Sequence, residues 1–137
     1  MVKLFPDAKI IHSPGEINAL DSSEFVEAIK STQRKKLITA GIVTDLCVVF
    51  PTLSAVSEGY EVYVVIYVSG TLNQTVQNVS IARLTQAGVT VINWLAVVAE
   101  LQADWRKSSG NAMAELFSDH LIRYGMIINN YLTNKKT

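Results

Sequence analysis

The chain contains one cysteine, Cys47, set where a thiol can act as a nucleophile. Residues 37–43, Leu-Ile-Thr-Ala-Gly-Ile-Val, are almost wholly apolar, the pattern of a short buried strand. In open parallel sheets ligand sites gather at the carboxyl ends of the strands, and Cys47 follows just beyond that end. Thr44 or Asp45 can cap a helix starting there, which places Cys47 in its first turn. Free amide donors and the helix dipole in such a turn favour thiolate over thiol. The same donors can stabilise the oxyanion formed when sulfur attacks a carbonyl carbon. On spacing alone a small buried structural residue is the favoured reading, since cysteine is among the most buried types. Asp45 stands beside the thiol, but as a helix cap its carboxylate serves the backbone. His12 and His120 lie far apart with no carboxylate pattern between them, so neither a metal nor a cofactor is expected.

The elements that must hold Cys47 follow from the surrounding pattern. Residues 9–12 read as a short strand running into the Ser13-Pro14-Gly15 loop. Asp21-Ser22-Ser23-Glu24 has the form of a capping box, and Phe25, Val26 and Ile29 recur at helical spacing, predicting a helix to about Thr32. The helix carrying Cys47 is expected to run to Glu58 and stop at Gly59. Pro51 within it frees a carbonyl one turn back. Residues 60–68, rich in Val, Ile and Tyr, are the clearest strand and are expected at the centre of the sheet. Asn73 caps the next helix, Gly88 ends it, and residues 89–94 form another strand. A helix from near Ala96 to Arg106, a break at Ser108-Ser109-Gly110, and a helix holding Met113, Leu116 and Phe117 complete the pattern. The apolar stretch within residues 121–137 either packs on a neighbouring subunit or frays. This alternation predicts one α/β domain over residues 1–137, a Rossmann-like three-layer αβα arrangement around a parallel sheet.

Composition narrows the function. Of the 137 residues 49% are hydrophobic and 18% charged, a balance suited to one domain with a real core. Twelve Lys and Arg against twelve Asp and Glu, scattered along the chain, leave no basic face for a nucleic acid. No apolar run approaches the length of a membrane span, so a soluble, cytoplasmic protein is expected. No glycine-rich dinucleotide fingerprint or Walker loop follows any strand, which counts against a nucleotide-binding domain. Trp94 and Trp105 read as core or subunit contacts before pocket walls.

The wording Ala40-Gly41-Ile42-Val43-Thr44-Asp45-Leu46-Cys47-Val48, continued by Pro51-Thr52-Leu53-Ser54-Ala55 and Glu58-Gly59-Tyr60, resembles the nucleophile motif of the isochorismatase-like cysteine hydrolases. Phe5-Pro6-Asp7-Ala8, Pro14-Gly15-Glu16-Ile17-Asn18-Ala19, Ser69-Gly70-Thr71, Gln86-Ala87-Gly88, Asn93-Trp94 and Asp104-Trp105-Arg106 are similar to the YcaC-type branch of that superfamily. The resemblance implies that Cys47 attacks a carbonyl or imine carbon of a small amide-, imide- or vinyl-ether-like substrate and that water hydrolyses the thioester-like intermediate. It implies a cis peptide between Ile42 and Val43, an oxyanion hole formed by the backbone amides of Val43 and Cys47, and a homo-oligomer.

The chain also departs from the pattern that the resemblance sets. The family pairs its cysteine with an Asp on the first strand and with a Lys or Arg just before the Pro-Gly-Glu-Ile-Asn-Ala motif. No residue here aligns with the Asp, because the sequence matches the family from about its third strand, and Ser13 stands at the basic position. A serine hydroxyl donates a hydrogen bond but brings no charge. Ile66-Tyr67-Val68 stands where relatives have Thr-Asp-Ala. Without the family's first strands the sheet is expected to expose strand edges and a strip of core, which favours association. Two readings follow, a hydrolase using Cys47 and a catalytically dead structural or oligomeric member of the family.

Overall fold

A three-stranded parallel sheet organises the computed structural model, which describes residues 4–134. The strands are β1 (Lys36–Thr39), β2 (Glu61–Val65) and β3 (Thr90–Ile92), in the spatial order β1-β2-β3. Leu37 pairs with Val62 and Thr39 with Val64, while Val64 pairs with Val91 on the other side. The chain divides into two compact units, Met1–Trp94 and Leu95–Thr137.

In the first unit α1 (Ser23–Ser31) precedes β1, α2 (Val49–Ser57) joins β1 to β2, and α3 (Gln74–Gln86) joins β2 to β3. Val62 and Val64 of β2 are buried and Tyr63 between them is only half-buried, the period-2 signature of unequal faces. The core forms where Val48, Val49, Val64, Leu84 and Val89 meet, all at most 5% exposed, with Phe50, Leu53 and Val91 packed around them. Asn73 caps α3 by accepting the Val76 amide at 3.0 Å, as its sequence position predicted. Gly59 and Gly88, at φ +84° and +81°, take the left-handed conformation that ends α2 and α3.

Several sequence-based boundaries shift for physical reasons. Residues 9–12 are not a strand: no neighbouring strand pairs with them. Ser22, not Asp21, caps α1, its hydroxyl accepting the Phe25 amide, because Asp21 belongs to a short 3-10 turn, Ala19–Asp21, and accepts from the Asn18 side chain. Strand β1 ends at Thr39, and beyond it only the isolated bridge between Ile42 and Gly70 continues the pairing. The expected strand over residues 60–68 keeps β2 at the centre but turns into a 3-10 segment at Ile66–Val68. The described residues thus hold three strands where four alternations were expected.

The second unit is helical. After α4 (Trp94–Gln102), Ala103 at φ +59° turns the chain, and Gln102 organises the loop that follows. Its amide nitrogen donates to the Asp104 carbonyl at 2.9 Å, its side-chain oxygen accepts from Ser109, and its backbone carbonyl accepts from Lys107. Helices α5 (Gly110–His120) and α6 (Ile122–Asn134) then pack on one another. A Cβ on Gly125 would stand 2.8 Å from the Ser118 hydroxyl, so glycine permits that approach. Phe117, buried, is met edge-on by the rings of Trp105 and Tyr124, each with its centroid 5.6 Å away. The segment expected to pack or fray is therefore helical as far as Asn134, and residues 135–137 lie outside the described residues.

Leu84 is fully buried at the centre of the first unit's core. Leu84→Ala is expected to cost about 2–5 kcal/mol of that unit's stability, seen as a lower denaturation midpoint in urea.

Candidate active site

Beyond β1 the chain passes through Ala40 and Gly41, and the peptide bond between Ile42 and Val43 is cis, as the resemblance implied. It then enters a one-turn π segment, Thr44–Val48, which runs directly into α2. Pro51 has no N–H to offer the Cys47 carbonyl, so a regular α ladder cannot run through this stretch, and the wider π turn occupies it. Neither Thr44 nor Asp45 caps the turn. Val43 holds the capping position, without a side-chain bond.

Thr44 is instead fully buried and fixes the turn to the loop after β2. Its hydroxyl and its amide both donate to the Gly70 carbonyl, at 2.6 and 2.8 Å. The Gly70 amide donates back to Gly41 at 2.9 Å, and buried Ser69 donates from its hydroxyl to the Val65 carbonyl. Gly70 is required here, because a Cβ would lie 2.8 Å from Cγ1 of Ile42. Sequence reasoning gave these residues no role. The Ser69-Gly70-Thr71 wording was the available signal.

Held in this way, Cys47 is exposed rather than buried, which removes the structural-core alternative. It lines a cavity of about 430 Å³ beside β1. Its lining comes from β1 and the residues after it (Leu37 to Ala40), from α1 and the turn before it (Ala19, Leu20, Phe25, Ile29), and from Pro51 and Ala55 of α2. The Asn18 side chain donates to Ser54 at 2.9 Å and ties the start of the Ala19–Asp21 turn to α2. Among the described residues, no charged side chain lines this cavity.

The Cys47 amide is already engaged, donating to the Val43 carbonyl at 2.9 Å, whereas the Val43 amide donates to no described residue. Ser13 is exposed and is not among the lining residues. Its hydroxyl donates to the Glu16 carboxylate at 2.7 Å and holds that carboxyl below its ordinary pKa, helped by backbone amide donation. His12 is exposed in an unpaired segment. Asp45 is half-buried, and its Oδ1 is enclosed without a hydrogen-bond partner among the described residues. Tyr67 is 78% exposed. Neither Trp94 nor Trp105 lines the cavity.

The charged cluster of the sheet lies at its opposite end. Lys36 and Glu61, the first residues of β1 and β2, form an ion pair at 3.1 Å, and the Tyr63 hydroxyl donates to the Glu61 carboxylate. The hydrogen bonds from Tyr63 and Lys36 lower the Glu61 pKa, and Glu61 in turn raises both of theirs. A second cavity, about 280 Å³, includes Asp21, Lys30, Glu58 and Tyr60 in its lining and none of Cys47, Val43 or Ser13.

This α/β scaffold and its motif identify a class. The isochorismatase domain model matches residues 2–95, and the chain belongs to the isochorismatase-like hydrolase family. Within it the chain falls in the YcaC-type branch. Over 132 residues it is 45% identical to the probable hydrolase YcaC of Escherichia coli (strain K12), covering 96% of this chain and 63% of that one. The crystal structure of the Escherichia coli YcaC gene product, an octameric hydrolase of unknown specificity, matches with a TM-score of 0.90 at 44% identity, over 96% of this chain and 64% of that one. YcaC from Pseudomonas aeruginosa, solved with hexane-2,5-diol and covalent acrylamide, matches with a TM-score of 0.90 at 45% identity, over 95% and 64% of the two chains. The chain thus spans less than two thirds of the length of these relatives.

Two substitutions test the clamp. Thr44→Val removes one buried hydroxyl bond while Gly70 keeps the Thr44 amide, an expected loss of about 0.5–1.5 kcal/mol. Gly70→Ala forces a methyl against Ile42 and is expected to cost about 1–3 kcal/mol and to change the rate at which a disulfide reagent titrates Cys47. Thermal denaturation beside thiol titration reads both.

Proposed function

We propose that Cys47 is the nucleophile of a cytoplasmic, homo-oligomeric hydrolase acting on a small amide- or imide-like compound. The observation that carries this reading is an exposed thiol at the carboxyl end of β1, opening on a cavity with apolar walls. The Cys47 sulfur attacks the carbonyl carbon, the nitrogen leaves with a proton, and water cleaves the thioester to return the thiol. The Val43 amide, bonded to no described residue, is the donor to the oxyanion. The Cys47 amide, which already serves Val43, joins it only by sharing its hydrogen. Ser13, at the family's basic position, holds the Glu16 loop and supplies no charge.

The relatives support the reading. Acrylamide is an electrophile that thiols attack, and the Pseudomonas relative carries it covalently. The octamer of the Escherichia coli relative supports self-association. A lone free thiol suits a reducing compartment, and among the described residues no helix is long and apolar enough to cross a membrane.

One observation favours the second reading, a catalytically dead member that keeps the scaffold. Among the described residues the cavity lining has no carboxylate, histidine or cation, and losing one member of a cooperating catalytic set removes most of the rate. Alkylation by iodoacetamide at neutral pH separates the two. The hydrolase reading predicts modification of Cys47 faster than of free cysteine, and loss of amide hydrolysis in Cys47→Ala. Reaction no faster than a free thiol, with no amide hydrolysis in the parent chain for Cys47→Ala to remove, supports the dead scaffold.

A further inference from the structure

The second cavity of the first unit, about 280 Å³, lies between α1 and α2 and shares only Leu20 and Ile29 with the cavity beside Cys47. Its chemistry is different. The carboxylates of Asp21 and Glu58 and the ammonium of Lys30 all line it, with Val26 joining Leu20 and Ile29 as an apolar patch. These opposite charges do not pair with one another. Among the described residues the ion pairs are Lys9 with Glu24, Lys36 with Glu61 and Arg106 with Asp104, so Lys30 meets neither carboxylate of its own cavity. Asp21 is held in place by the Asn18 side chain, which donates to it at 3.1 Å and to Ser54 of α2 at 2.9 Å. The fold also orders the three charges. Helices α1 and α2 end a few residues before Lys36 and Glu61, which stand side by side where the sheet begins, so Lys30 and Glu58 share one end of the cavity. Asp21, just before α1, marks the other end, roughly 13 Å away at the helical rise of about 1.5 Å per residue.

We propose that this cavity binds a free α-amino acid with a cationic side chain. The ligand's carboxylate meets Lys30, and its α-ammonium meets Glu58 at the carbonyl end of α2, where the helix dipole also favours a cation. Its side-chain cation reaches Asp21. The methylenes between the two ends lie on Leu20, Val26 and Ile29. Two observations select this class of ligand. Two carboxylates and one ammonium that leave each other unpaired are complementary to two cations and one anion on a single molecule. The volume, just under the roughly 300–1,000 Å³ of sites for drug-sized ligands, restricts the occupant to a small molecule. No polar residue is common to this cavity and the one beside Cys47, so the proposal does not depend on the chemistry of the thiol.

The test is calorimetric titration with L-lysine, beside L-norleucine, which lacks the side-chain ammonium, and cadaverine, which lacks the carboxylate. Saturable one-to-one binding of L-lysine with a Kd below about 1 mM is expected. Each truncated probe is expected to bind about tenfold or more weakly, the loss of one charge-assisted hydrogen bond. Two variants assign the ends. Asp21→Asn keeps an acceptor for Asn18 and is expected to weaken L-lysine about tenfold while leaving L-norleucine unchanged, and Lys30→Met is expected to weaken L-lysine alike while leaving cadaverine unchanged. Both positions are exposed, so the fold tolerates either change. Chain alkylated at Cys47 is expected to bind L-lysine as the parent does, which separates this result from any failure of the thiol chemistry. Absence of saturable binding overturns the proposal, as does equal affinity for the three probes or an unchanged L-lysine affinity in both variants. Loss of L-lysine binding on alkylation of Cys47 also overturns it, because the ligand then occupies the other cavity.

Discussion

The hold of Thr44 on the Gly70 carbonyl is the contact on which the rest of the site depends. Through it the end of β1 and the loop after β2 are joined by main-chain bonds and one buried hydroxyl. Buried polar groups are costly when unpaired, so the pairing fixes where the π turn can start. The position of the Cys47 sulfur then follows from the turn, not from contacts of its own side chain. A glycine at position 70 is part of the same constraint, since Ile42 fills the space a side chain would take.

The sheet distributes its chemistry unevenly. Charged and titrating groups gather where Lys36 and Glu61 begin their strands, and the opposite end keeps an apolar hollow with one thiol. Among the described residues, no side chain of the lining other than Cys47 itself can take up a proton. The scaffold therefore concentrates on positioning, and proton transfer must come from water or from groups outside the lining.

Much of this was readable beforehand, where the cause was local. The caps and stops at Asn73, Gly59 and Gly88 depend on residues within a turn of each other, and the apolar β2 run could only be central. The place of Cys47 followed from the strand before it and the helix after it. Non-local causes escaped. The Thr44 to Gly70 bond spans 26 residues, and residues 9–12 have a strand's composition but nothing to pair with. Pro51 is expected to free a carbonyl one turn back, and its neighbourhood is a change of helical type. The exposure of Cys47 likewise depends on which elements surround it, which composition does not encode.

The π turn carries one further consequence. A single turn of that kind holds one more residue than an α turn would, so the segment Thr44–Val48 carries an extra residue at the entry to α2. Removing any one residue of it would rotate whatever precedes the deletion by about 100° against α2, while Pro51 would still leave the ladder one donor short. The reading frame of the helix, as much as the identity of Cys47, thus decides whether a sulfur faces the hollow, and a shortened homologue could keep the cysteine and still lose its direction.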